Sequence, residues 1–294
     1  MRDARQVAGR QGPHVLDATI GYFLLSCFLP LAGEAGLLTN APAGNWSSVH
    51  GFEDRRGTIN WQLFSPAQAP ADRPLPLVIW LHGGAESSGR PDTQTPSIFT
   101  GAAAQARFPC YILVPCAIMG RNWVNDEGRK VFKASDLQAQ PTASMALVVA
   151  LLDRLLAETP IDPRRVVIGG ASGGGYGTWA FLHACPDRFA AAFPIAGGGD
   201  PARVDKLGAT RIWMFHGGHD SLVPVSRAQT MLNALVLQQG LAVGVGETPG
   251  IVTYGTPGGR LRLTIYRSGR HGAAVTEHAL NEPDFMEWLL QPAH

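Results

Sequence analysis

The sequence predicts an α/β fold: a mostly parallel central sheet with helices on both faces and an antiparallel hairpin at its N-terminal edge. Three observations lead there. Short continuous apolar runs recur along the chain, as strands buried on both faces require. Segments of helical periodicity alternate with them, so right-handed βαβ units follow. Near residue 50, two short runs flank a Gly-containing turn, the pattern of a hairpin.

The elements follow in order. Residues 49–54 and 58–64 surround Arg55-Arg56-Gly57 and form the hairpin. "LPLVIWL" at 75–81 is the first buried strand and ends at His82-Gly83-Gly84. A helix is expected over 98–106 and a strand over 111–115. "TASMALVVALLDRLLA" at 142–157 has helical spacing, with Thr142 near its start and Pro141 at an early helical position. Val166–Gly169 is a strand that runs through a Gly-rich turn into a helix near 176–183, where Tyr176 and Trp179 are core residues and His183 a surface one. Strands at 190–195, 212–215 and 261–266 follow, with helices at 226–239 and 284–290. The stretch 240–260, "GLAVGVGETPGIVTYGTPGGR", reads as a Gly-rich mobile excursion before the last strand.

Composition bounds the function. The 294 residues carry 24 Lys+Arg against 23 Asp+Glu, a net charge of +1. No basic excess points to nucleic acid, and neutral substrates fit best. Apolar residues at 45% support a full core. No cysteine spacing suggests a metal site, and no cofactor motif accompanies the glycines. Cys110 and Cys116 flank a strand that separates them by roughly 20 Å at about 3.3 Å per residue. They cannot bridge each other. Either could reach Cys185, or all three are free thiols.

The start of the chain reads as a leader. Arg2, Arg5 and Arg10 precede the apolar run Ile20–Leu31 and a small-residue exit, the secretory pattern. The run is too short to span a bilayer, which takes about 20 residues. An ordinary amphipathic helix is the alternative. Leu24-Leu25-Ser26-Cys27 resembles a lipobox, which would make Cys27 a lipid anchor. The boundaries expected are a leader over 1–36, a linker over 37–46 and one catalytic domain over 47–292. Export to the bacterial envelope or beyond follows.

The chemistry centres on Gly170-Ala171-Ser172-Gly173-Gly174, a G-x-S-x-G between a strand and a helix. That context holds a serine hydroxyl out at the sheet edge as a nucleophile. A phosphate-cradling turn is the competing reading. A serine needs a base, and the base needs an orienting acid. Downstream, strand ends carry Asp220 and then His271, in the order Ser, acid, His. His219 and His278 are competing bases, and His216, His219 and Asp220 a competing metal set. The N–H groups of Gly84 and Gly173 are the expected oxyanion donors, with His82 bracing their loop.

Those residues sit in stretches that resemble a known group. "LHGGAESSG", "YILVPCAIMGRNWVND", "IDPRRVVIGGASGGGYGTWAFLHACPDRFAAAFPIAGGGDP", "IWMFHGGHDSLVPV" and "NEPDFMEWLL" look like bacterial phospholipase/carboxylesterase-like hydrolases. These are often labelled predicted peptidases and are related to dienelactone hydrolases and to polyhydroxybutyrate-depolymerase-like and feruloyl esterases. The resemblance covers 47–292. It implies the α/β-hydrolase fold, a catalytic Ser172–His271–Asp220 set, no cofactor or metal, and a small-molecule, carbohydrate or polymer ester as substrate. It also implies that Trp123 lines the substrate pocket; a core tryptophan is the alternative. Peptidase and acyltransferase activities use the same residues, and a non-catalytic ligand-binding relative would keep the fold. Three departures stand out: Arg270 replaces a glycine before the histidine, the 240–260 stretch is inserted, and Gly174 stands where many relatives have methionine. Arg270 either recognises an anion or is solvated.

Overall fold

The computed structural model describes residues 43–69, 73–84, 91, 95–128, 137, 139–207 and 210–292. All lie within the compact unit Leu38–His294. The leader, Cys27 and most of the linker fall outside the described residues.

Among the described residues, eleven strands form one sheet: β1 (Gly44–Trp46), β2 (His50–Asp54), β3 (Gly57–Pro66), β4 (Leu75–Leu81), β5 (Tyr111–Pro115), β6 (Ile161–Ala171), β7 (Ala191–Ile195), β8 (Arg211–Gly217), β9 (Gly244–Thr248), β10 (Ile251–Gly255) and β11 (Leu261–Tyr266). Their order is β1-β3-β5-β4-β6-β7-β8-β11-β10-β9, with β2 beside β3. The six strands from β5 to β11 pair in parallel. The N-terminal strands add antiparallel pairs at one edge, as the hairpin pattern predicts.

The other edge differs from the sequence expectation. The Gly-rich excursion is an antiparallel hairpin, β9–β10, paired through β10 to β11. Gly250, at φ 83°, makes its turn. Val245 and Tyr254 alternate with small or polar residues, enough for a strand although three glycines of β9 and β10 dilute the pattern.

Seven helices accompany the sheet among the described residues: α1 (Ser97–Thr100), α2 (Ala102–Arg107), α3 (Ala143–Glu158), α4 (Gly173–Ala184), α5 (Ser226–Gln239), α6 (Ala273–Leu280) and α7 (Phe285–Leu290). The single helix expected over 98–106 is broken at Gly101, whose backbone is extended (φ −64°, ψ 148°). Thr142 caps α3 by accepting the Met145 N–H at 3.1 Å.

The strands are buried on both faces because two cores meet there. Leu77, Ile79 and Leu81 of β4 pack with Leu147, Leu151, Trp179 and Leu232 from α3, α4 and α5. Val78 and Trp80 face the other way, onto Phe99, Val275, Phe285 and Trp288. β4 is also where the winding reverses: β5 lies on one side of it and β6 on the other. Such a switch point opens a crevice at the carboxyl ends of the strands. His82 follows β4 there, and Ser172 follows β6.

Candidate active site

Ser172 stands between β6 and α4 at φ 56° and ψ −114°, a conformation that L-residues rarely adopt. The surroundings impose it. The Ser172 N–H donates to Ile195 O at 2.9 Å, and Ser172 O accepts from the Tyr176 N–H at 3.0 Å. The first turn of α4 packs on the end of β4: a Cβ on Gly174 would collide with the Leu81 carbonyl. The strand therefore turns sharply into the helix and leaves the hydroxyl on the outside of the bend.

The structure brings Ser172, His271 and Asp220 together. Ser172 Oγ lies 2.9 Å from His271 Nε2. His271 Nδ1 lies 2.7 Å from Asp220 Oδ2. Asp220 is buried, with its side chain 1% exposed. Its Oδ1 accepts the N–H groups of Leu222 and Val223 at 3.0 and 2.8 Å. These bonds fix the carboxylate with Oδ2 facing the imidazole. The turns bearing the two residues are also sewn together: His219 N–H donates to Gly269 O at 2.9 Å, and Gly218 N–H to Tyr266 O at 2.7 Å.

The other histidines take different places. His216 lies beneath Asp220, fully buried, its Nε2 donating to Val223 O at 2.8 Å. Burial pulls its pKa below the ordinary histidine value. It stays neutral and leaves Asp220 to His271. His219 and His278 are exposed. His183, expected on the surface, is buried against Trp179. Its Nδ1–H donates to Arg203 O and its Nε2 accepts the Asp200 N–H. Desolvation lowers its pKa to about 4.

His82 braces the loop after β4. Ala117 N–H donates to its Nε2 at 3.1 Å, so the ring proton sits on Nδ1, which donates to Gly83 O at 2.8 Å. In a trans peptide the Gly84 N–H then points away from that ring. The Gly84 nitrogen lies against Gly173; a Cβ there would stand 2.7 Å from it. Gly173 opens α4, where N–H groups lack intrahelical acceptors.

Trp123 corrects the expectation that it lines the pocket. It is 1% exposed and lies under His82, ring centroids 4.8 Å apart. Its Nε1–H donates to His82 O at 3.1 Å. It supports the loop from below because the chain after β5 passes on the buried side of His82. Arg270 is exposed and does not line the cavity, so the solvated reading fits it. Cys110 and Cys185 carry free thiols, and burial pushes the Cys110 thiol up to about 12.

A cavity of about 660 Å³ opens over Ser172 and His271. One wall is small and apolar, from Ile98 and Gly101 to Ala104. The other is α6, through Ala273, Thr276, Glu277 and Leu280, ending at Asn281. Neither wall was anticipated from the sequence. Glu277 lies six residues after His271, and nothing in that spacing sets it apart from any solvated glutamate.

Comparisons with known proteins bear on the fold and on the family resemblance. Against solved structures, a thermostable esterase aligns with TM-score 0.66 and 26% identity over 84% of this chain and 63% of its own. A feruloyl esterase module from Clostridium thermocellum, complexed with sinapinate, aligns with TM-score 0.61 and 12% identity over 88% and 93%. The chain has the α/β-hydrolase fold. Residues 139–207, which include the Ser172 turn, match the model of the prolyl oligopeptidase family. Poly(3-hydroxyalkanoate) depolymerase C of Paucimonas lemoignei is 30% identical over 155 residues, 52% of this chain and 34% of that protein. The chain thus spans about a third of that relative's length. The resemblance to carboxylesterase-like α/β-hydrolases drawn from the sequence is borne out by these relatives.

Proposed function

We propose that this protein is a serine hydrolase that cleaves carboxylic esters through an acyl-enzyme. The observation that carries the reading is the hydrogen-bonded row Ser172 Oγ–His271 Nε2–Nδ1–Asp220 Oδ2, at 2.9 and 2.7 Å, open to a cavity.

His271 Nε2 takes the Ser172 proton as Oγ attacks the ester carbonyl carbon. Asp220 keeps the ring in the correct tautomer and stabilises the imidazolium. The N–H groups of Gly84 and Gly173 receive the oxyanion. Collapse breaks the bond to the alcohol, whose oxygen takes the proton back from Nε2. Water then attacks the acyl-enzyme by the same route, releasing the carboxylic acid and restoring Ser172. Ester and water give acid and alcohol, with no outside reagent.

The names of the esterase and depolymerase relatives support an ester as the substrate. No helix among the described residues is long and apolar enough to cross a membrane. The prolyl oligopeptidase match supports a second reading, a peptidase on the same residues. Short-acyl p-nitrophenyl esters and peptide anilides, compared on one preparation, separate the two. Ester turnover that falls by roughly 10⁴-fold or more in Ser172→Ala is the expected result. Anilide cleavage without ester cleavage would favour the peptidase.

A further inference from the structure

We infer that Glu277 selects the alcohol half of the ester, favouring leaving alcohols that carry hydroxyl donors or positive charge and disfavouring anionic ones. This rests on the ester-hydrolase reading above.

The position of α6 carries the inference. The helix begins two residues after His271. His271 returns its proton to the leaving oxygen, so the alcohol lies on the side of His271, against the α6 wall. The small apolar wall of Gly101 to Ala104 is left for the acyl group. Along α6, Glu277 presents a carboxylate at the exposed mouth of the cavity. Beside it, the Asn281 side-chain amide donates to Glu277 O at 2.8 Å, which leaves Asn281 Oδ1 as an acceptor. Both groups therefore ask the ligand for donors. Among the described residues, no Lys or Arg lines the cavity to offset the carboxylate or to receive an anion.

The test uses acetate esters of four alcohols: choline, its uncharged isostere 3,3-dimethylbutanol, glycerol, and 4-hydroxybutanoate. Acid release at constant pH and low salt gives kcat/KM for each, with p-nitrophenyl acetate as a reference. The readout is the ratio of the choline to the 4-hydroxybutanoate ester within each enzyme, which cancels any general loss of activity. The wild type should favour the choline ester, and glycerol over dimethylbutanol. Glu277→Gln should lower the cation-to-anion ratio roughly three- to tenfold, and about 0.5 M salt should lower it too, because the charge is exposed. Glu277→Lys should invert it. A ratio equal in all three enzymes, or a wild type that favours the anion, overturns the assignment while p-nitrophenyl acetate turnover leaves the esterase reading standing. If folded wild type hydrolyses none of the five esters, both readings fall.

Discussion

At Ser172 the backbone is held where a Cβ is unwelcome, and such strain is typically about 1–3 kcal/mol. Two substitutions expose it. Ser172→Gly should be more stable than Ser172→Ala by roughly 1 kcal/mol or more in urea melts, although both lose the hydroxyl. Equal stabilities would mean that the turn is relaxed. A second prediction concerns Trp123. Trp123→Phe keeps a smaller aromatic ring in place and removes the bond to His82 O. It should lower kcat about tenfold with KM nearly unchanged, since it acts through His82 on the loop proposed to hold the oxyanion. A change confined to KM would return Trp123 to a substrate-contacting role. Ser172, Asp220 and His271 were legible as candidates because each sits in a local turn whose glycines and chain order carry the signal. Trp123 and His183 were not, because burial depends on which side of the sheet a loop crosses, and no local pattern records that.

Among the elements, the loop after β7 shows what a buried titratable group contributes. His183 accepts the Asp200 N–H only while its Nε2 is unprotonated. Its folded pKa is near 4, against 6.5 in the unfolded chain. Between those values the unfolded state binds a proton that the folded state does not. Stability is therefore fully present above pH 6.5 and lost as pH falls toward 4, by an amount on the order of 3 kcal/mol. Denaturant melts at pH 7 and pH 4.5 should show a smaller difference in His183→Gln than in the wild type. An identical difference would remove His183 from the account. The strands β4, β5 and β6 could be read from their apolar runs because both of their faces are covered. The β9–β10 hairpin could not: β9 is exposed on both faces, and the glycines of the pair dilute its alternation. The break at Gly101 was missed for a related reason, since a lone glycine in an apolar helical run has no fixed meaning.

Across the whole molecule, the carboxyl ends of the strands gather four separate chain segments at one site. β4 ends in the His82–Gly84 loop, β6 in Ser172, and β8 and β11 in the sewn turns of Asp220 and His271. None of these segments has the site alone, so the proposed ester cleavage needs the folded sheet. An activity-based test addresses that assembly directly. Folded protein, verified by circular dichroism, is treated with a fluorophosphonate probe and the adduct is mapped by peptide mass spectrometry. The account predicts a single adduct on Ser172, absent in Ser172→Ala and strongly slowed in His271→Ala. Labelling of a different residue, or undiminished labelling and ester turnover in Ser172→Ala, would contradict it.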